Sequence, residues 1–363
     1  MVTVRAGSYD ILIGRGLLAE LPALLRQHCP AYAYAAISDS HVAKLYGDKL
    51  VATLQDATVR ADLFTFPAGE WNKTRETWAS LSDRMLAAHI GRDGAVLAFG
   101  GGVVGDLAGF VAATYLRGIP YVQVPTSLLA MIDSSIGGKT GVDVPAGKNL
   151  LGAFHQPNLV VADLDLLASL PAAQLSAGLA EAVKHGAIAD PDYFDFLERE
   201  QAAILAKDGA ALERVVRRSV EIKAAVVADD EREAGRRAIL NFGHTIGHAI
   251  EALSKFEVPH GEAVAIGMVL EARLAEAVGV AASGTALRIV RLLENLRLPV
   301  ARPDGASVDD LIQMMRGDKK VRAAAIRVAL PERIGSMHHD NRDGWTIAVD
   351  DRRLRDVLSG RGD

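Results

Sequence analysis

Two histidines four residues apart, His244 and His248, have the spacing at which a helix offers two imidazoles to one metal ion. A catalytic metal of the zinc type needs about three protein ligands and one open position. The histidine pair with one neighbouring acid would meet this need. One histidine of the pair could instead join Glu181 and His260, which lie near other helical stretches. The spacing alone leaves both ligand sets open.

The surroundings of this pair narrow its chemistry. Thr245 follows His244 at the position where zinc proteases carry a catalytic glutamate, so a protease of that type is excluded. A polar stripe along an otherwise apolar helix is predicted by four residues at helical spacing: Asn241, His244, His248 and Glu251. Burial of such a stripe costs free energy unless each group has a partner. The stripe therefore favours a metal or active site over core histidines that only bond each other.

A glycine loop in LAFGGGVVGDLAGF follows an apolar run and opens a helical stretch. Gly100, Gly102 and Gly105 match G-x-G-x-x-G, in which glycines allow backbone N–H groups at a helix N-terminus to contact a pyrophosphate. The loop lies outside the first βαβ unit, and no acid for a ribose ends the next strand. A plain strand-to-helix turn is therefore an alternative, but the order of strand, loop and helix favours nucleotide binding.

A second glycine-rich segment, IDSSIGGKTGVDVPAGKNLLG, carries Lys139 and Lys148. Little side-chain bulk stands next to these lysines, so their ammonium groups could hold an anion. Asp133, Thr140 and Asn149 add polar groups to the same segment. The apolar flanks SLLAMI and NLLGAF favour a functional loop over an exposed one whose lysines only aid solubility.

Composition restricts the partners of the chain. Its 363 residues suggest about two domains. A net charge of −5 provides no global basic field for nucleic acid or an anionic membrane, so an anionic ligand needs a local cluster of lysines and arginines. The single cysteine, Cys29, excludes a disulfide framework and a cysteine-rich zinc site. Neither a signal peptide nor an apolar run of ~18 residues is present, so we expect a cytoplasmic protein.

The predicted elements divide the chain into two halves. Apolar runs predict strands at VTVRA, YDILIGR, AYAYAAISD, ADLFTF, GAVLAFGGG, PYVQVPTS and NLVVADLDLL, and RETWASLSDRMLAAHI has the period of a helix. This alternation predicts an α/β domain with a mostly parallel sheet. After Pro171 come successive helical stretches, including RAILNFGHTIGHAIEAL, and a late hairpin is expected from AIRVALPERIGS and DGWTIAVDD. We therefore predict an α/β domain over residues 1–170 and an all-α domain over residues 171–363.

Assembled in order, these segments resemble the 3-dehydroquinate synthase family of the sugar-phosphate cyclases. The resemblance is carried by PAGEWNKT, by the run from GGGVVGDLAGF to GKNLLGAFHQP, and by LAEAVKHG, NFGHTIGHAIE, HGEAVAIGM and DKK, over residues 67–320. It implies a dehydroquinate synthase-like fold, with a Rossmann-like NAD-binding domain, a helical domain for metal and substrate, and the active site in the cleft between them. It also implies a homodimer, a bound NAD and one zinc or cobalt ion.

The resemblance further implies a reaction and the residues that perform it. NAD would oxidise a ring hydroxyl of 3-deoxy-D-arabino-heptulosonate 7-phosphate transiently, phosphate would be eliminated, and re-reduction and an aldol closure would yield 3-dehydroquinate. Metal ligands would be Glu181, His244 and His260. NAD contacts would be Glu70, Lys73, Gly102, Val103, Val104, Gly105, Asp106, Thr126, Ser127, Lys139, Lys148, Leu166, Leu167, Ala168 and Ser169. Substrate and catalytic groups would be Arg117, Asp133, Lys139, Lys148, Asn149, Lys184, Arg237, Asn241, His248 and one or both of Lys319 and Lys320.

Two positions depart from the family pattern, and three other functions compete. Ser127 stands where a second threonine is usual, and His185 stands where tyrosine is frequent; neither removes a required group.

A metal-dependent polyol dehydrogenase would release NADH with its product and would not need the lysine loop. A sister cyclase would act on another sugar phosphate. A catalytically inactive homologue is disfavoured because the expected ligands and the loop lysines are intact.

Overall fold

The computed structural model describes residues 1–145, 147–255, 257–317 and 325–360. It divides into two compact units. The first unit contains Met1–Pro171 together with Leu212–Ala224, and the second contains Ala172–Ala211 together with Ala225–Asp363. The sequence pattern gave no indication that Leu212–Ala224 groups with the first unit.

The first unit is built on a sheet that has seven strands within the described residues, in the order β1–β2–β9–β6–β5–β3–β4. Strand β1 pairs antiparallel with β2, and every other neighbouring pair in this sheet is parallel. The predicted mostly parallel α/β sheet is therefore confirmed. Its strands are β1 (Val2–Ala6), β2 (Tyr9–Gly14), β3 (Tyr34–Asp39), β4 (Ala61–Phe66), β5 (Ala95–Gly100), β6 (Tyr121–Pro125) and β9 (Leu159–Asp163). A separate antiparallel hairpin is formed by β7 (Lys139–Val144) and β8 (Gly147–Phe154).

Buried strands and helices on the sheet form the core of this unit. Every residue of β5, β6 and β9 is buried, as expected for parallel strands that are covered on both faces. The helices are α1 (Leu17–His28), α2 (Ser40–Val42), α3 (Asp48–Asp56), α4 (Arg75–Ala87) and α5 (Gly102–Thr114). Short π-helical or 3₁₀ segments occupy Ala43–Gly47, Glu70–Asn72, Tyr115–Arg117, Ala130–Ser134 and Leu164–Ser169.

The strand order reverses between β3 and β5, and this point determines where a ligand can bind. After β3 the chain adds β4 on one side and then returns to place β5 on the other side of β3. In open parallel sheets, ligands bind beyond the carboxyl ends of the strands at such a switch point. The glycine loop lies there, because β5 ends at Gly100 and α5 begins at Gly102.

The second unit is predominantly helical, as predicted, with two short two-stranded sheets among its described residues. Strand β10 pairs antiparallel with β13, and β11 pairs with β12 between them, so the expected late strand pair forms but its strands are not consecutive. Among the described residues no helix combines the length and apolarity needed to cross a membrane. The elements are α6 (Ala172–Ala189), α7 (Pro191–Leu205), α8 (Gly209–Asp229), a 3₁₀ segment (Arg236–Asn241), α9 (His244–Leu253), α10 (His260–Ala277), α11 (Thr285–Asn295), α12 (Val308–Gly317), β10 (Ile326–Val328), β11 (Pro331–Arg333), β12 (Ser336–Met337), β13 (Ile347–Val349) and α13 (Asp351–Leu358). Helix α8 includes the segment that groups with the first unit.

The helix predicted through RAILNFGHTIGHAIEAL is interrupted. Gly243 has a φ of 80°, and α9 begins only at His244. Asn241 therefore precedes the helix in a 3₁₀ segment, and the predicted stripe that included it is wrong. His244, His248 and Glu251 do share α9. The left-handed conformation at Gly243, which glycine adopts without steric cost, explains the interruption.

Glycines allow α9, α10 and α6 to approach one another closely. A Cβ atom on Gly267 of α10 would lie 1.9 Å from the carbonyl oxygen of Gly243. A Cβ atom on Gly261, also in α10, would lie 2.0 Å from the carbonyl oxygen of Ala177 in α6. Both neighbours are backbone atoms and cannot rotate away. The three helices that carry Glu181, His244 and His260 thus depend on the absence of side chains at their crossings.

This packing predicts that Gly267→Ala lowers the free energy of unfolding by roughly 3 kcal/mol, because the methyl group forces the two backbones apart. Urea denaturation followed by circular dichroism measures the loss. Gly279→Ala is the matched control, since nothing lies within 4 Å of its added Cβ and its φ of 74° costs only about 1 kcal/mol. Equal stability of the two variants would contradict the close crossing.

Candidate active site

Three helices of the second unit bring the predicted metal ligands together. Glu181 lies within α6, His244 is the first residue of α9, and His260 is the first residue of α10. Oε1 of Glu181 is 3.5 Å from Nε2 of His244 and 3.5 Å from Nε2 of His260. One donor atom from each residue lies within 4.8 Å of the other two. The arrangement suits one cation shared by a carboxylate and two imidazoles.

The second nitrogen of each imidazole has its own partner. Nδ1 of His244 is 3.1 Å from the carbonyl oxygen of Phe242, and Nδ1 of His260 is 3.1 Å from Oε2 of Glu251. Both partners are acceptors, so Nδ1–H donates in each ring, and Nε2 is the nitrogen that faces Glu181. Metal-bound histidines are oriented by the same kind of hydrogen bond. The donor set, two nitrogens and one carboxylate oxygen, fits zinc or cobalt.

Burial and neighbouring charge act differently on the two histidines. Burial, reinforced by the ammonium group of Lys184, lowers the pKa of His244 well below its ordinary value. Burial also opposes protonation of His260, but hydrogen bonds with Glu181 and Glu251 outweigh it and raise its pKa to about 10. Without a metal, His260 thus carries a proton between two carboxylates. A metal ion that binds Nε2 must displace a proton from this site.

His248 is a neighbour of this cluster. Its ring centroid is 5.2 Å from that of His244 and 6.0 Å from that of His260. An overlapping donor group, formed by His248, Glu251 and His260, also has its atoms within 4.8 Å of one another. The group of Glu181, His244 and His260 lacks His248, and the group of His248, Glu251 and His260 lacks His244. The geometry therefore favours separate roles for the two histidines of the motif.

The other predicted residues of the second unit lie in buried or paired positions. Lys184 is 1% exposed and forms an ion pair with Glu181 from the next turn of α6. Arg237 is 2% exposed, and its guanidinium donates to the carbonyl oxygen of Glu231. A solvated surface position is thus excluded for Lys184 and Arg237. Nδ2 of Asn241 donates to Oε1 of Glu233 at 2.8 Å. Lys319 and Lys320 lie outside the described residues.

Most predicted NAD contacts of the first unit follow the carboxyl ends of four parallel strands of the sheet, while Lys139 and Lys148 lie in the β7–β8 hairpin. Gly102 opens α5 after β5, and helices direct the N–H groups of their first turn outward. A Cβ atom on Gly105 would lie 2.7 Å from Oε1 of Gln123, so this glycine lets α5 pack closely on β6. A Cβ atom on Gly101 would meet nothing nearer than 3.6 Å, which leaves room before the helix. The predicted contacts are Glu70 and Lys73 after β4, Gly102, Val103, Val104, Gly105 and Asp106 after β5, Thr126 and Ser127 after β6, and Leu166, Leu167, Ala168 and Ser169 after β9.

Three predicted residues, Glu70, Asp106 and Lys148, cluster around the buried Lys73, which is itself a predicted NAD contact. The Nζ atom of Lys73, which is 3% exposed, lies 2.9 Å from Glu70, 3.2 Å from Asp106 and 3.7 Å from Asp143. Lys148 Nζ is 3.5 Å from Glu70. Burial disfavours the Lys73 ammonium, but the three carboxylates outweigh this effect and raise its pKa. Burial raises the pKa of Asp106 to about 6, against the lowering effect of Lys73.

The loop residues of the first unit adopt uncommon backbone conformations. Asn149 has a φ of 52°, and its N–H donates to Oδ1 of Asp143 at 2.8 Å. Arg117 has a φ of 71° and follows Leu116, whose φ is 48°. Residues other than glycine adopt this region rarely, and such strained positions cluster at functional sites. Lys139, by contrast, begins β7 with extended backbone.

Sequence reasoning missed two residues next to predicted ones. Lys223, 6% exposed, places Nζ 2.7 Å from Oδ1 and 2.7 Å from the carbonyl oxygen of Asp133. In the sequence, Lys223 stands out only because it interrupts the mostly apolar run VEIKAAVV, in a helix that looked amphipathic. Asp143 joins the Lys73 cluster and also binds Asn149. It lies in the same segment as Asn149, but no pattern pointed to it, because its charged partner Lys73 lies on another segment.

Sequence similarity to known proteins covers most of the chain. Family models described as the N-terminal and C-terminal parts of 3-dehydroquinate synthase match residues 63–177 and 178–321. A protein of Symbiobacterium thermophilum named 3-dehydroquinate synthase is 54% identical over 331 residues, which cover 91% of this chain and 92% of the relative.

Solved structures of two related cyclases have the same fold. A 2-deoxy-scyllo-inosose synthase, complexed with carbaglucose-6-phosphate, NAD⁺ and Co²⁺, superposes with a TM-score of 0.91 at 26% identity, covering 98% of this chain and 99% of its own. The 2-epi-5-epi-valiolone synthase of Streptomyces hygroscopicus, with NAD⁺ and Zn²⁺ bound, gives 0.89 at 32% identity, covering 99% and 98%. The predicted fold class is confirmed by this similarity.

The Lys73 cluster predicts a pH-dependent effect of Asp106→Asn. The pKa of Asp106 rises from 3.8 to about 6 on folding. The protonated side chain therefore contributes to the stability of the folded state below pH 3.8, and this contribution is lost as the pH rises through about 6. Relative to the native chain, the variant should therefore gain roughly 1–3 kcal/mol of stability between about pH 4 and pH 6. Urea unfolding at a series of pH values measures the difference.

Asp62→Asn, at an exposed position of β4, controls for the loss of one negative charge. A difference between Asp106→Asn and the native chain that stays constant across this pH range would contradict the raised pKa. Far-UV circular dichroism at each pH confirms that the two variants keep their secondary structure.

Proposed function

The chain belongs to the 3-dehydroquinate synthase family, and from this premise we propose that it converts 3-deoxy-D-arabino-heptulosonate 7-phosphate to 3-dehydroquinate and phosphate. This reaction is the second step of the shikimate pathway. The observation that carries the proposal is the cluster of Glu181, His244 and His260, with Lys184 paired to the carboxylate. Identity of 54% to a 3-dehydroquinate synthase, against 26% and 32% to the two sister cyclases, favours this substrate over theirs.

We propose that NAD binds at the carboxyl edge of the sheet in the first unit. The support is the glycine loop at the switch point, with Glu70, Lys73 and Asp106 beside it. We propose likewise that Glu181, His244 and His260 hold one zinc or cobalt ion. When bound, NAD supplies a transient oxidation of a ring hydroxyl, and the metal supplies Lewis-acid stabilisation of developing negative charge, worth several kcal/mol.

The side chains of the protein provide the binding and proton-handling groups. The substrate carries a phosphate and a carboxylate, and charge-assisted hydrogen bonds from ammonium and guanidinium groups suit both. We propose that Lys139 and Lys148 supply such groups from the first unit, and Lys184 and Arg237 from the second. Arg117, Asp133, Asn149 and Asn241 are proposed to orient the substrate. His248 is proposed to move a proton near neutral pH, where imidazole does so best.

Three further properties belong to the same proposal. Residues 1–170 are proposed to form the NAD-binding domain and residues 171–363 the metal- and substrate-binding domain. A homodimer without nucleic-acid or membrane partners is proposed, in agreement with the net charge of −5. A cytoplasmic location is proposed from the single cysteine.

The proposed reaction predicts that protein supplied with Co²⁺ and trace NAD releases phosphate from the heptulosonate phosphate without accumulating NADH. The reason is that the hydride removed in the first step returns to the same molecule. Phosphate is measured colorimetrically, and NADH by absorbance. Removal of metal with a chelator should abolish phosphate release, and added Co²⁺ should restore it.

NADH formed in proportion to product would contradict this proposal and indicate a polyol dehydrogenase. The sugar phosphates used by the sister cyclases are the matched control substrates. Faster phosphate release from one of them would reassign the chain to a sister activity.

The proposed ligand set predicts opposite results at two neighbouring histidines. His260→Ala should lose most of the bound metal, because it removes one of three protein ligands. His248→Ala should keep most of the metal yet lower kcat by roughly 100-fold, as loss of a proton-transfer group does. Metal content after dialysis is measured by mass spectrometry, and kcat by phosphate release.

The reverse pattern would identify His248 as the ligand in place of His260. His89→Ala, at a histidine in the first unit, controls for the loss of an imidazole as such.

A further inference from the structure

A buried acid without any role in the proposed reaction lies behind the candidate metal cluster. Glu251, in the last part of α9, is 2% exposed. Its Oε2 atom is 3.1 Å from Nδ1 of His260, whose Nε2 atom is 3.5 Å from Glu181. The imidazole of His260 therefore lies between two carboxylates, one on each nitrogen.

A buried carboxylate costs free energy unless hydrogen bonds or opposite charges compensate for its lost hydration. Its hydrogen bond keeps a hydrogen on Nδ1 and holds the ring plane, so that Nε2, once it has lost its proton, can bind a cation beside Glu181. A negative partner also makes Nε2 a better electron-pair donor than a neutral partner does. The other histidine of the cluster has a weaker support, since His244 bonds the neutral carbonyl of Phe242.

Helices α9 and α10 are joined by hydrogen bonds in which a carboxylate of each helix binds the start of the other. Glu271 of α10, which is completely buried, accepts hydrogen bonds from the N–H groups of Gly243 at 2.6 Å and Ile246 at 3.1 Å, and so anchors the start of α9. Glu251 of α9 bonds His260, the first residue of α10. Each helix thus supplies a buried carboxylate to the end of the other that carries a candidate ligand.

We propose that Glu251 is a positioning residue for metal binding, which holds His260 with Nε2 directed at Glu181. The inference rests on the proposed function, because it takes Glu181, His244 and His260 as the ligands. It has one structural rival. The donor atoms of His248, Glu251 and His260 also lie within 4.8 Å of one another, so Glu251 could bind the metal itself, with His260 acting through Nδ1.

The test is a Co²⁺ titration of the full-length protein after its metal has been removed with a chelator. Glu251→Gln keeps an oxygen acceptor for Nδ1–H but removes the charge, and it should raise the Kd for Co²⁺ about 10-fold. Glu251→Ala removes the acceptor as well, and its Kd should rise towards about 100-fold. In both variants the visible absorption spectrum of bound Co²⁺ should keep the native band positions, since the ligand set is unchanged.

Glu257→Gln, at an exposed glutamate six residues further along the chain, is the matched control and should bind Co²⁺ with native affinity. Phosphate release at saturating Co²⁺ provides a second measurement. A positioning role predicts that excess metal restores most of the activity of Glu251→Gln. A loss that arises only from poor folding would instead persist at every metal concentration and would overturn the proposal.

Two further results would overturn it. Native Co²⁺ affinity in Glu251→Gln would show that the carboxylate does not support His260, and shifted absorption bands would make Glu251 a ligand. In either case the native protein still binds Co²⁺ and releases phosphate, so the proposed function survives. Failure of the native protein to bind Co²⁺ or to release phosphate would reject both proposals together.

Discussion

Glu181 carries a carboxylate group with no exposed surface in the interior of the second unit. Such a group is stable only where donors and positive charge surround it. Lys184 supplies an ammonium group from the next turn of the same helix, and His244 and His260 approach from two other helices. In the absence of metal, a proton on His260 provides part of the compensation. A divalent cation at the proposed site would provide more.

That electrostatic requirement imposes a packing requirement on the helices. Three helix segments must approach one point closely enough for His244 and His260 to reach the Glu181 carboxylate. Side chains at the crossings would hold the axes apart, and Gly267 and Gly261 avoid this where a Cβ atom would meet a backbone carbonyl oxygen. The carboxylates Glu251 and Glu271 then accept hydrogen bonds at the starts of α10 and α9. Charge and close packing therefore depend on each other in this unit.

Much of the fold could be predicted from the sequence because it rests on local patterns. Apolar runs located the strands, and G-x-G-x-x-G located the loop between β5 and α5. Residues whose role depends on distant partners were not predictable in this way. Lys223 looks like a member of an amphipathic helix until Asp133 is placed beside it, 90 residues earlier in the chain. Asp143 has no motif, since its significance comes from Lys73 on another segment. Glu251 was visible only as part of a polar stripe.

The interruption at Gly243 shows why the histidine motif could not be interpreted by spacing alone. In an unbroken helix, the carbonyl oxygen of Phe242 would accept a hydrogen bond from the N–H of Ile246. Here that N–H donates to Glu271 instead, and the Phe242 carbonyl accepts from Nδ1 of His244. The break that makes the predicted stripe wrong thus frees the acceptor that orients His244. His248, one turn later, has no equivalent break before it, because Gly247 lies within the continuous helix α9. The two histidines therefore differ because the backbone is interrupted at Gly243, just before His244, and Glu271 accepts the N–H groups that this break leaves, whereas the helix is continuous around His248.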